Sequence, residues 1–109
     1  MANFVFCNVK GNSFKVWGFD VYTNNKTNES NVVSYFGRIG VPMQRLRKCN
    51  KFFNNSDAIT YGNAKAREKQ AKGYVPVLNH EYFELVDSNA RVQEYFKLIE
   101  KSEKAGIRL

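Results

Sequence analysis

Hydrophobic and polar positions alternate through the first half of the chain and then change period. Residues 3–9, "NFVFCNV", read as a short strand, Lys10-Gly11-Asn12 as a turn, and residues 13–23, "SFKVWGFDVYT", as a second strand rich in aromatic and β-branched residues. The two are expected to pair as a hairpin. Residues 24–31, "NNKTNESN", are polar and aperiodic, a solvent loop, and "VVSYFGRIG" (32–40) resumes the alternation until Gly40-Val41-Pro42 breaks it. "MQRLRKCNKF" (43–52) is read as one further strand. Connections of hairpin length or slightly more make the sheet antiparallel.

From residue 54 the period is helical. In "NNSDAITYGNAKAREKQAKGY" (54–74), Ser56 is the expected cap, Asp57 complements the positive end of the helix dipole, Lys69 and Lys72 the negative end, and Gly73 closes the helix. Its apolar face is thin, with Ala58, Ile59, Gly62 and Ala66 in register, so it must lie close against a sheet that supplies the bulk. Pro76 in "GYVPVL" (73–78) allows only an edge or irregular strand. Asp87-Ser88 is expected to open a second helix, with Val92, Tyr95, Phe96 and Ile99 at i, i+3, i+4 and i+7, ended by Gly106. The fold class is α+β: an antiparallel sheet with one helix packed on it, plus a C-terminal amphipathic helix. Residues 1–78 are read as one domain and residues 79–109 as a helical extension docked on it.

The 109 residues are the size of one ordinary domain, and 43% hydrophobic with 15% aromatic residues is the composition of a folded chain. No run approaches the roughly 18 to 20 apolar residues of a membrane span, and "MANFVFCNVKGN" lacks the pattern of a secretory signal. A cytoplasmic protein without a membrane partner is expected. Cys7 and Cys49 lie far apart in sequence and His80 is the one histidine, so the spacings of a zinc site are absent and both thiols are read as reduced and buried. Asp20, Glu29, Asp57 and Glu68 are scattered singly among basic residues, a poor supply for acid–base catalysis. No catalytic site, metal or cofactor is expected.

The net charge of +7 is regional. Residues 1–78 hold twelve Lys/Arg against four Asp/Glu, whereas residues 79–109 hold five against six. Between Arg38 and Lys72 there are nine basic residues and two acidic ones, a density that suits a phosphate-bearing partner. Strand geometry then sorts the side chains of residues 32–40. Val33, Tyr35 and Ile39 share the apolar face, and Ser34, Phe36 and Arg38 the other, with Gly37 between ring and cation allowing a bend or a close backbone approach. Arg45 and Arg47 form a similar i, i+2 pair assigned to the solvent face. Trp17 and Phe19 share a face and are read as packed under the helix, with extension of an aromatic surface as the other reading; Tyr74 is assigned to the core.

Several of these segments together resemble the WGR domain, found in DNA-damage-dependent poly(ADP-ribose) polymerases and in free-standing bacterial proteins. "FGRIG" (36–40) is similar to the family's Trp-Gly-Arg signature with Phe36 in place of Trp; "SDAI" (56–59) resembles the family's helix start; "EK" (68–69) and "GY" (73–74) follow at the expected distances. The resemblance covers roughly residues 12–78. It departs at Gly62, where the family's helix carries a large apolar residue. It implies a sheet with a helix on one side that binds nucleic acid, the signature aromatic lying against a terminal nucleotide and the arginine near the backbone or a partner domain. It implies nothing of the polymerases' catalytic activity.

The resulting expectation is a small non-enzymatic nucleic-acid-binding module, for DNA ahead of RNA, preferring ends or breaks. Phe36 would stack, beside Gly37, and Arg38, Arg45, Arg47, Lys48, Lys65, Lys69 and Lys72 would contact phosphates, Lys69 also serving structure through its aliphatic stem. The alternatives are RNA binding and a protein-interaction module, or small regulator of a nucleic-acid enzyme, that docks through Phe36 and Arg38 or through the C-terminal helix.

Overall fold

The computed structural model describes residues 3–46 and 49–107. Six strands, β1 (Phe4–Asn8), β2 (Lys15–Thr23), β3 (Ser30–Arg38), β4 (Gln44–Arg45), β5 (Asn50–Phe52) and β6 (Val75–Val77), form one antiparallel sheet. Its order is β4-β3-β2-β1-β6, with β5 pairing the start of β3. Three helices, α1 (Asn55–Ala71), α2 (Asn79–Asp87) and α3 (Val92–Ala105), complete an α+β fold.

Alternation along the central strands divides the apolar residues between two layers. Val5, Cys7, Val16, Val33, Tyr35 and Ile39 face α2 and α3, which contribute Tyr82, Tyr95, Leu98 and Ile99. Phe6, Trp17, Phe19 and Val32 face the other way, under Ala58 and Ala66 of α1. Burial of Cys7 in the first layer pushes its thiol pKa up to about 12, which leaves it protonated and chemically quiet.

Several boundaries differ from those expected. Residues 43–52 do not make one strand: the paired segments are β4 and β5, with Arg47 and Lys48 between them outside the described residues. Strand β3 begins at Ser30, inside the segment expected to be loop, because Ser30 pairs with both Thr23 and Phe52. The cap of α1 is Asn54 and not Ser56. Asn54 Oδ1 accepts from the Asp57 amide at 2.8 Å while Asn54 Nδ2 donates to the Asp57 carboxylate at 3.1 Å, a reciprocal N-cap to N3 pairing that Ser56 cannot reach. Ile59 points outward at 43% exposure, so the face of α1 that meets the sheet is Ala58, Gly62 and Ala66.

The C-terminal region holds two helices where one was expected. Asp87 and Ser88 end α2 and do not open α3, whose chain enters through Arg91. Val92 and Phe96 lie on the exposed side of α3, and the stripe that meets the sheet is Tyr95, Leu98, Ile99 and Ser102. Gly106, at φ +62°, closes the helix as expected. Lys101 Nζ donates to Glu81 at 2.7 Å across α2 and α3, and the Gly40 amide donates to the buried Tyr82 hydroxyl at 3.2 Å, which fixes the turn after β3 against α2.

Gly62 is explained by Phe19. A Cβ at position 62 would lie within the van der Waals envelope of Phe19 Cε2 and 3.0 Å from both Cδ2 and Cζ. That ring has nowhere to swing, since it is buried, stacked on Phe4 at 4.8 Å and 5.5 Å from Trp17. The bulk that a large helix residue would supply comes here from the sheet. Gly62→Ala gains about 1 kcal/mol of helix propensity but overpacks a site where such crowding costs about 1–3 kcal/mol. A net loss of stability is expected in urea denaturation, reversed in a Phe19→Leu background; a gain in the wild-type background would contradict this packing.

Candidate nucleic-acid interface

The register of β2 and β3 puts Trp17 opposite Phe36 and Lys15 opposite Arg38, all four on the α1 side of the sheet. Toward the ends of these strands α1 no longer covers the surface. Trp17 is 5% exposed beneath the helix, whereas Phe36, one strand further out, is 39% exposed, and Lys15 and Arg38 are exposed beyond it. A groove of about 650 Å³ opens there, its lining including Phe14 and Lys15, Phe36, Gly37 and Arg38, and Tyr74. Tyr74, assigned to the core from sequence, is half-buried and forms part of this wall.

The last turn of α1 brings further cations to the same place. Lys69 Nζ sits 5.6 Å from the centroid of Trp17 and 5.5 Å from that of Tyr74, so its stem covers the tryptophan while the ammonium stays against two aromatic faces. Partial burial lowers its pKa, with the positive charges of Lys72, Lys65 and Lys15 acting in the same direction and Glu68 opposing them. The charges of Lys15, Lys65 and Lys72 are thus close enough for their repulsion to be felt at Lys69. Lys65 is partly engaged within the chain, 3.4 Å from Glu68 and 5.7 Å from the Tyr61 ring. Lys72 caps the C-terminus of α1, and the buried Asn8 holds it there by donating from Nδ2 to the Lys72 carbonyl at 3.3 Å.

The expected site residues thus divide. Phe36, Gly37, Arg38, Lys69 and Lys72 come together around the groove and the end of α1, with Lys65 one turn back. Arg45 does not join them. It pairs with Tyr35, on the face opposite Phe36, and its guanidinium donates to Cys49 Sγ at 3.4 Å. The adjacent residue Gln44 is the one that faces the same side as Phe36. Arg47 and Lys48 lie outside the described residues. Gly37 does not serve a close approach within the chain, because a Cβ there would make only ordinary contacts with Met43 Cα at 3.6 Å and Pro42 O at 3.9 Å. Lys15 was missed by sequence reasoning: its membership follows from register with Arg38, and the polar, aperiodic loop between β2 and β3 was too weak a signal to fix that register.

Among the described residues no three His, Cys, Asp or Glu side chains gather as metal ligands would, and no helix is long and apolar enough to cross a membrane. What the groove offers is an aromatic face flanked by fixed cations, suited to stacking and to phosphate pairing.

No curated protein and no solved structure matches the chain. The family model of the WGR domain matches residues 2–81, which takes in the whole sheet, α1 and the first residues of α2, and leaves α3 outside. The match is wider than the resemblance read from motifs: it adds β1, which carries no signature residue but pairs with β2 and β6 in the same sheet, and the first residues of α2. WGR domains are small binding modules of the nucleic-acid-binding type, not catalytic ones. With the signature segment at 36–38 on the rim of a basic groove and most of its length matched by the family, the chain belongs to the WGR domain family.

Proposed function

We propose that the protein is a non-enzymatic module that binds DNA, preferring ends or breaks, through the groove beside β3. The observation that carries this reading is the exposed ring of Phe36 in a strand whose neighbouring rings are buried, with Arg38 and Lys15 beside it and Lys69 and Lys72 on the adjoining helix end. A ring in that setting can stack on a nucleotide face, and the cations around it can follow the phosphates on either side. An intact duplex offers no free base face without unstacking, which costs a few kcal/mol, whereas a strand end already presents one. RNA remains a variant of the same reading, separated from DNA by competition between matched DNA and RNA ends.

Salt dependence tests the reading. If about four of these cations pair with phosphates, log K on duplex DNA should fall against log salt with a slope of roughly −3 to −4. Lys15→Gln with Lys72→Gln should reduce that slope by about 2 while leaving stability within about 0.5 kcal/mol, because both side chains are exposed. A flat salt response removes the proposal. The second reading, a protein-interaction module, is favoured by Val92 and Phe96, 51% and 46% exposed on the outer side of α3. An interface centred there would respond weakly to salt and be lost on Phe96→Ser, with the double lysine substitution silent.

A further inference from the structure

Arg38 does not project freely from the end of β3. Its guanidinium carbon lies 5.6 Å from the centroid of the Phe14 ring, the residue just before β2. The Ile39 amide donates to the Phe14 carbonyl at 3.1 Å, so the backbone positions that carry ring and cation are tied together. Behind Phe14 stands α3: the Tyr95 ring meets it edge-on at 6.5 Å between centroids and the Phe96 ring lies at 6.1 Å. Tyr95 in turn is buried against Tyr82 and over Gly40, whose Cα lacks a side chain where the Tyr95 hydroxyl passes. Phe14 is therefore clamped from the side away from the groove and offers its remaining surface to the arginine.

We infer that Phe14 is a positioning residue for Arg38, and that α3, which lies outside the family match, sets the geometry of the groove by fixing Phe14. The inference rests on reading the groove as a nucleic-acid site, and it extends that site to residues with no phosphate contact of their own. A guanidinium held over a ring loses less rotamer freedom when it meets a phosphate than one that is free to sample solvent. The same arrangement couples the outer face of α3 to the groove, so whatever packs on Phe96 would alter how Arg38 is presented.

The test reads Arg38 directly, in the free protein, from its side-chain Nε–Hε signal by NMR, assigned by its disappearance in Arg38→Lys. In the wild type the ring current of Phe14 should displace this signal upfield of the exposed arginines. Phe14→Leu keeps an apolar side chain without the ring and should return it to the ordinary position; Phe14→Tyr keeps the ring and should preserve the displacement; Phe96→Ala should shift it part of the way. Affinity for a blunt-ended DNA duplex should fall about two- to fivefold in Phe14→Leu, the range of an exposed cation–π contact, be restored in Phe14→Tyr, and be unaffected by Phe14→Leu in an Arg38→Ala background. An undisplaced wild-type signal, or an equal affinity loss in the Arg38→Ala background, overturns the positioning role. A Phe96→Ala spectrum identical to wild type overturns the part assigned to α3. Should the wild type fail to bind duplex at all, the DNA reading falls, and the Arg38 signal still decides the positioning.

Discussion

Phe36→Ala is expected to leave the protein folded and to remove most of its preference for DNA ends, a loss of about 1–3 kcal/mol, or roughly 5- to 150-fold, in the affinity ratio between a blunt-ended duplex and a closed circle of the same sequence. The fold should tolerate the change because Phe36 is at the margin of its layer. Its strand partner Trp17 is already covered by α1 and Lys69, while the ring of Phe36 keeps more than a third of its surface in solvent. Phe36→Trp should keep or increase the preference, since the larger ring restores the family's residue and adds an indole donor. Arg38→Ala should instead weaken binding to every DNA form alike and lower the salt slope by about 1, because a phosphate contact is blind to where the strand ends. Competition titrations with linear and circular DNA measure all four proteins on one scale. Equal affinity of the wild type for circles and ends would sink end recognition, and an unfolded Phe36→Ala would mean that the ring is a core residue and not a platform.

The part of this site that could be read from sequence is the part that alternation decides. Within β3 the side chains sort by parity, so Phe36 and Arg38 on one face and Val33, Tyr35 and Ile39 on the other follow from a period of two. The end of α1 was equally legible, because Lys69 and Gly73 mark it by charge and by backbone freedom. What alternation cannot supply is which residue of another strand stands opposite, and Lys15 was missed for that reason. Arg45 is exposed, as assigned, but which side of the sheet it lies on was illegible for a related reason. Its parity within β4 is clear, but a two-residue strand carries too little pattern to tell which face is which until it is docked on Tyr35. Helix α2 escaped notice because nine residues show only about two and a half helical periods, and its cap position, Leu78, makes no side-chain capping bond. All four residues of the Asn54-Asn55-Ser56-Asp57 run are of types that cap helices, and the reciprocal bond with Asp57 singles out Asn54.

Removal of residues 91–109 is expected to leave no cooperatively folded protein at room temperature, the largest effect anticipated for any change to the chain. Tyr95, Leu98 and Ile99 are all buried in the layer shared with Val5, Val33, Tyr35 and Val77. Losing a large buried side chain costs about 2–5 kcal/mol, so losing three together rivals the whole net stability of a small domain, about 5–15 kcal/mol. Part of the remaining cover goes with them, because α2 is held to α3 through Lys101 and Glu81 and through the packing of Tyr82 on Tyr95. Graded substitutions separate this account from a general intolerance of change at the C-terminus. Leu98→Ala should cost about 2–5 kcal/mol in urea denaturation, whereas Val92→Ser, on the exposed side of the same helix, should stay within about 0.5 kcal/mol. A truncated chain that unfolds cooperatively near the wild-type midpoint would show that α3 is a detachable cover. The sheet face beneath it would then be the surface to test for a protein partner, since Val5, Cys7 and Val77 would be left bare.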